Sequence, residues 1–196
     1  MKAHNIPNLI TFLRIVLVAP FLWLLLDESY GGALLIFVIA GLSDALDGFL
    51  AKHYGWTSEL GGVLDPLADK LLLLGAIIVL GWLKVLPVWL VVLIVFRDVV
   101  IVAGAIGYHI LIERFQAEPL ILSKLNTFVQ LGLVFMMITH HSLLGLPEGL
   151  INGLIILTAL TTTWSGIAYV LQWGQRACHK ISCLNSRSRL SRHQDP

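Results

Sequence analysis

The sequence predicts an all-α protein, a polytopic membrane bundle of six transmembrane helices. Three observations carry that expectation. The chain has 196 residues, of which 57% are hydrophobic and only 13% charged, where a soluble domain carries about 25% charged residues. Its mean hydropathy is +0.85. Six apolar stretches of about 20 residues, the length that crosses a bilayer, follow one another with polar punctuation between them. Strand-like alternation and soluble repeats do not compete with this pattern.

The first stretch, 7–26, is broken only by Arg14 and shows no small-residue cleavage pattern before Asp27, so it reads as a retained helix and not a signal peptide. The Asp27 to Gly32 segment ends it. The second, 32–52, stops at Gly55-Trp56-Thr57-Ser58. The third, 61–82, ends at Lys84 to Pro87, and the fourth, 86–108, runs to the polar segment from Glu113 to Pro119. The fifth, 121–142, is followed by His140 to Pro147, and the sixth, 149–173, by a basic tail. The expected organisation is a membrane domain over 1–173 and a frayed cytosolic tail over 174–196.

Basic residues orient the bundle, because Lys and Arg are retained on the cytoplasmic side. Lys2, Lys52, Arg114, Lys124 and the tail residues Arg176, Lys180, Arg187, Arg189 and Arg192 share one side. Both termini are therefore expected in the cytoplasm. The net charge of +1 gives no sign of a nucleic-acid partner. Cys178 and Cys183 flank His179, but one Cys-x4-Cys without a second pair reads as free thiols in a reducing compartment. Trp82, Trp89, Trp164 and Trp173 read as an aromatic belt, and His109, His140 and His141 as interfacial residues.

Chemistry concentrates at four aspartates. Asp44 and Asp47 lie three apart near the end of the second stretch, and Asp65 and Asp69 four apart near the start of the third. Each spacing sets a pair on one helix face, and a hairpin through 53–60 would bring the pairs together. An uncompensated carboxylate in a bilayer costs about 2.5–3.5 kcal/mol on insertion scales. Divalent cations among the four would offset that cost, with Mg2+ or Mn2+ favoured over zinc because no histidine or thiolate stands at ligand spacing. Ion pairs with Arg14, Lys52 and Lys70 are the other reading. Gly48, Gly61 and Gly62 allow a ligand to approach the backbone, or close helix packing. Arg14, Arg97 and Lys124 interrupt or border apolar runs. Turned inward they form a cationic pocket for a phosphate-bearing molecule, with Asp98 orienting Arg97, and otherwise they snorkel to the interface.

The segment Asp44-x2-Asp47-Gly48-x2-Ala51-Lys52-x8-Gly61-x3-Asp65-x3-Asp69 resembles the signature of the CDP-alcohol phosphotransferase family. The match holds throughout, except that Lys52 stands where that family has arginine, which keeps the charge but loses the bidentate fork. The opening Asn5-Ile6-Pro7-Asn8-Leu9-Ile10-Thr11-Phe12-Leu13-Arg14 is similar to the branch containing phosphatidylglycerophosphate synthases and CMP-forming cardiolipin synthases. Ala40 to Asp44, Arg97-Asp98-Val99 and Ser123 to Leu131 look more like the cardiolipin synthases.

The resemblance implies a metal-dependent membrane transferase that uses CDP-diacylglycerol and releases CMP. It implies two Mg2+ or Mn2+ ions on Asp44, Asp47, Asp65 and Asp69, with Asp69 also the general base. It places Asn8, Thr11, Gly48, Ala51, Lys52 and Gly61 at the nucleotide, and Arg14, Arg97 and Lys124 at phosphate. Phosphatidylglycerol is the expected acceptor, with glycerol-3-phosphate as the alternative. Family members are commonly homodimers, which extends to this chain as an expectation. A bacterial inner membrane is expected because the chain opens directly on this segment. A cation-coupled transporter is the reading from another class, although residues 100–196 hold no second aspartate-rich copy of the kind such repeats show.

Overall fold

A computed structural model describes residues 6–54, 59–111, 121–142 and 145–191, with side chains described for 11–44, 46, 68–104, 122–142 and 145–172. Among the described residues all regular structure is helical. The helices are α1 (Ile6–Leu26), α2 (Tyr30–Tyr54), α3 (Glu59–Trp82), α4 (Val88–Leu111), α5 (Ile121–Ser142) and α6 (Glu148–Ser191). Their bounds follow the six apolar stretches closely. The exception is α6, which continues as helix through Ser191 instead of fraying after 173. No proline stands between Pro147 and Pro196 to stop it.

Short connections fix the antiparallel neighbours. At the end of α1, the Ser29 amide donates to the Leu24 carbonyl and the Glu28 amide to that of Leu25. At the end of α3, the Val85 amide donates to Leu80 and that of Lys84 to Gly81. Both are six-to-one closures that place one residue in the left-handed region, here Glu28 (φ 56°) and Lys84 (φ 59°). Neither is glycine, so each turn carries a conformational cost of about 1–2 kcal/mol. The Pro87 and Pro147 carbonyls accept the first amide bonds of α4 and α6, and proline suits that end because it lacks the amide a helix start leaves unpaired.

Helix α1 packs against α2 and α3, and α6 packs against α4 and α5. Contacts of α5 with α2 and α3, and of α4 with α3, join the two groups. The apolar core occupies one end of the bundle: Phe21 and Leu25 from α1, Phe37 from α2, Ile77 and Leu80 from α3, Leu90 from α4, Met137 and Ile138 from α5. The Phe21 and Phe37 rings meet at 5.7 Å. Because the helices alternate in direction, residues one to three turns away on each (Arg14, Asp44, Asp69, Arg97, Asn126) reach the opposite, polar end together. Trp23, Trp82 and Trp89 are exposed at the core end, and Trp164 at the level of the polar residues.

Among the described residues, two helical segments, Leu122–Ser142 and Glu148–Gln172, are long and apolar enough to cross a membrane. Between them runs a polar seam. The Asn126 Oδ1 accepts from the hydroxyls of Thr161 (3.0 Å) and Thr162 (2.9 Å), and the Gln130 amide nitrogen lies 3.4 Å from the Thr162 oxygen. Asn126, Gln130, Thr158, Thr162 and Ser165 are all buried. Such side chains join helices where hydrocarbon offers them no other partner.

Among the described glycines, the tightest contact across helices lies at the core end. A Cβ added to Gly81 would come 2.6 Å from Cγ2 of Val91, whose branched side chain has little rotamer freedom. Gly81→Ala is expected to destabilise the fold by about 1–3 kcal/mol, the range of overpacking. Thermal unfolding in detergent reads this, and an unchanged midpoint would mean that α3 and α4 separate freely there.

Candidate active site

Arg14 is the centre of the polar end. It sits on α1 one turn beyond the buried Thr11, and its own side chain is 1% exposed. A single nitrogen, Nη1, lies 2.8 Å from Oδ1 of Asp44 on α2 and 2.7 Å from Oδ1 of Asp69 on α3. One guanidinium thus spans the two halves of the aspartate motif. The two carboxylates are about half exposed (47% and 48%), so this is an ion pair with a buried cation and solvent-reachable anions. The snorkelling alternative does not hold for Arg14. The ion-pair reading of the aspartates is realised for Asp44 and Asp69, whereas Lys70 pairs elsewhere.

Arg97 on α4 is 6% exposed and also points inward. Its Nη1 donates to Oδ1 of Asp98 at 2.7 Å. Its Nη2 donates to the hydroxyls of Ser123 on α5 (2.9 Å) and Ser165 on α6 (2.6 Å). The guanidinium lies 5.9 Å from the ring centroid of Tyr169. The other Asp98 oxygen takes Lys70 of α3 at 3.3 Å. Asp98 therefore holds two cations at once, and Arg97 ties three helices together. The expected orienting role of Asp98 matches this geometry.

Two cavities meet at Asp69. One, of about 410 Å3, is lined by Arg14, Asp44, Asp69, Lys124, Thr127 and an apolar wall that includes Leu72 and Phe128. The other, of about 290 Å3, is lined by Asp69, Lys70, Arg97, Asp98, Ser123 and Gln130. Lys124 is exposed on its helix, yet it lines the first cavity beside the aspartates. Arg14, Lys124, Asp44 and Asp69 are thus brought together, and Arg97 stands across Asp69 in the neighbouring cavity.

Asp47 lies three residues after Asp44 on α2, and Asp65 four before Asp69 on α3. The side chains of Asn8, Asp47, Ala51, Lys52 and Asp65, and the surroundings of Gly48 and Gly61, lie outside the described residues. Among the described residues no group of three metal-binding side chains is gathered. The two motif carboxylates that are described do converge on one cationic nitrogen. Their oxygens are donors of the kind that Mg2+ or Mn2+ takes.

Sequence reasoning singled out neither Lys70 nor Ser165 for the site. In the sequence Lys70 reads only as an ion-pair partner for the aspartates, and Ser165 is one small hydroxyl in an apolar run. The available signal for Ser165 was the polar period Thr158, Thr161, Thr162, Ser165 along α6, which marks one face.

The family model described as CDP-alcohol phosphatidyltransferase matches residues 4–165. Cardiolipin synthase (CMP-forming) of Streptomyces coelicolor is 39% identical over 116 residues, covering 55% of this chain and 54% of that protein. The human cardiolipin synthase (CMP-forming) is 36% identical over 146 residues, covering 66% of this chain and 48% of that one. The CDP-diacylglycerol–glycerol-3-phosphate 3-phosphatidyltransferase of Aquifex aeolicus is 29% identical over 171 residues, covering 86% of this chain and 95% of that protein. The chain spans about half the length of the cardiolipin synthases it matches. With the model matching 162 residues, from 4 to 165, and with the aspartate motif inside that range, the chain belongs to the CDP-alcohol phosphatidyltransferase family.

Proposed function

We propose that this protein is a six-span membrane phosphatidyltransferase that joins CDP-diacylglycerol to phosphatidylglycerol, giving cardiolipin and CMP. The observation that carries the reading is the place of Asp69, on the wall common to two cavities that each bring two basic side chains together with two carboxylates. One cavity suits the donor diphosphate, beside Arg14 and Lys124. The other suits an acceptor phosphate, beside Lys70 and Arg97. Ser123 and Gln130 on the acceptor side, and Thr127 between the two cavities, belong to the segment that resembles cardiolipin synthases. Family membership and the cardiolipin synthase relatives support a transferase over a cation-coupled transporter.

In this reading Asp44, Asp47, Asp65 and Asp69 hold Mg2+ or Mn2+, which supplies charge neutralisation at the diphosphate. Arg14 keeps Asp44 and Asp69 at fixed separation and adds positive charge where phosphate oxygens bind. The apolar wall of the donor cavity takes the diacylglycerol, and Asn8, Thr11, Gly48, Ala51, Lys52 and Gly61 border the nucleotide. Arg97 and Lys70 hold the acceptor phosphate so that the acceptor hydroxyl faces Asp69. The Asp69 carboxylate takes the hydroxyl proton as the oxygen bonds to the β-phosphorus, and the bond from that phosphorus to the CMP oxygen breaks. The active site and both termini face the cytoplasm, with α6 continuing outward as a basic helix. Two copies associate as in the family.

Arg97→Lys tests the acceptor side. Lysine keeps the charge but loses the fork that reaches Asp98, Ser123 and Ser165 together. The KM for the acceptor is expected to rise about tenfold, a loss of about 1.4 kcal/mol, with the CDP-diacylglycerol KM unchanged. Equal changes in both would place Arg97 in the scaffold alone.

Product analysis tests the whole proposal. Purified protein receives labelled CDP-diacylglycerol and Mg2+ or Mn2+, with phosphatidylglycerol or glycerol-3-phosphate in separate reactions. Cardiolipin in the first is the expected result. Phosphatidylglycerophosphate in the second alone would keep the chemistry and overturn the acceptor.

A further inference from the structure

A groove of about 380 Å3 runs between α4 and α6, with Leu93, Phe96 and Val100 on one side and Gly166, Ile167 and Val170 on the other. We propose that it receives an acyl chain of the acceptor lipid, an assignment that rests on phosphatidylglycerol being the acceptor.

Arg97 links the groove to the acceptor cavity, since it lines both. Its aliphatic stem closes the groove, with Cγ only 3.5 Å from where a Gly166 Cβ would stand. Its guanidinium turns the other way, onto Asp98, Ser123 and Ser165. One side chain therefore presents hydrocarbon to the groove and charge to the cavity. A ligand with a phosphate head and a hydrocarbon tail matches both faces at once. No motif aspartate lines the groove, which separates it from the donor side.

The two threonines in the lining do not spoil its apolar character. The Thr162 hydroxyl donates to Asn126 Oδ1 at 2.9 Å, and that of Thr163 to the Ala159 carbonyl at 2.8 Å. Both leave the groove with methyl groups. Along α6 the lining runs from Thr162 to Leu171, about 13 Å at 1.5 Å per residue. That length and the apolar lining suit a single acyl chain lying along the groove. Glycerol-3-phosphate has no chain to place there. The groove is thus a feature that distinguishes the two acceptors.

The test uses the full chain in detergent with CDP-diacylglycerol and Mn2+. Dioleoyl-phosphatidylglycerol and dihexanoyl-phosphatidylglycerol serve as acceptors for the wild type, Thr163→Phe and Val100→Phe. These positions fill the groove from opposite walls. The expected result is a rise of about tenfold in KM for the dioleoyl lipid, with its kcat and the dihexanoyl KM within about twofold. The same KM change for both lipids, or none for either, would overturn the assignment. So would loss of a dimer in the variants with unchanged KM, which would give the groove to a second copy. Wild-type protein that releases CMP with glycerol-3-phosphate but with neither lipid would instead overturn the acceptor itself.

Discussion

Asp69→Asn is expected to lower CMP release by about 10²- to 10⁴-fold, the contribution of a positioned general base. The substitution is close to isosteric. The asparagine carbonyl oxygen can still accept from Arg14 Nη1, which lies 2.7 Å from Asp69 Oδ1. The junction of the two cavities therefore keeps its shape, while the group that takes the acceptor proton is gone. CDP-diacylglycerol binding, read by calorimetry against a non-reacting acceptor, should stay within a few-fold of wild type. Loss of turnover and nucleotide binding together would move Asp69 from proton transfer to metal and donor binding alone. Asp44→Asn is the natural comparison. Asp44 lines the donor cavity but not the acceptor cavity, so donor affinity should fall along with turnover.

Much of this architecture was legible in the sequence because the membrane-length rule is simple. An apolar run of about 20 residues has few alternatives to a helix, and the helix bounds followed. The aspartate motif was equally plain, since spacings of three and four admit one face of a helix. Side-chain direction was not legible. Arg14 and Arg97 could have snorkelled, and only packing decides that both turn inward, to 1% and 6% exposure. Lys124 shows the limit of that distinction, being exposed on its helix and still part of the donor cavity wall. The partners of Arg97 come from three helices, at sequence separations of 1, 26 and 68. No local pattern reports such a convergence. The extension of α6 was missed because hydropathy marks where a membrane span ends, and a helix can continue past that point on propensity alone.

Arg14→Gln separates the two roles that the aspartates could have, ion-pair partners or metal ligands. Removing one partner of a buried pair costs about 3–5 kcal/mol when the remaining charge is sealed off. Here the orphaned carboxylates are about half exposed, and water screens them, so a loss of about 1–3 kcal/mol is the better expectation. The variant should therefore melt lower than wild type in metal-free detergent. Added Mg2+ or Mn2+ should then act in a definite direction. Arg14 and a divalent cation both neutralise Asp44 and Asp69, and without the guanidinium the metal has the site to itself. A ligand that binds only the folded state adds about 2.7 kcal/mol of stability at a concentration 100 times its Kd. The metal-induced rise in melting midpoint should accordingly be larger in Arg14→Gln than in wild type, and should recover most of the deficit. Arg14→Lys, which keeps the charge on one nitrogen, should fall between them. Activity should remain low in Arg14→Gln even with metal present, because the arginine also faces the donor cavity. A variant that melts low and does not respond to either ion would mean that Asp44 and Asp69 serve the ion pair and that the metal, if any, lies elsewhere in the motif.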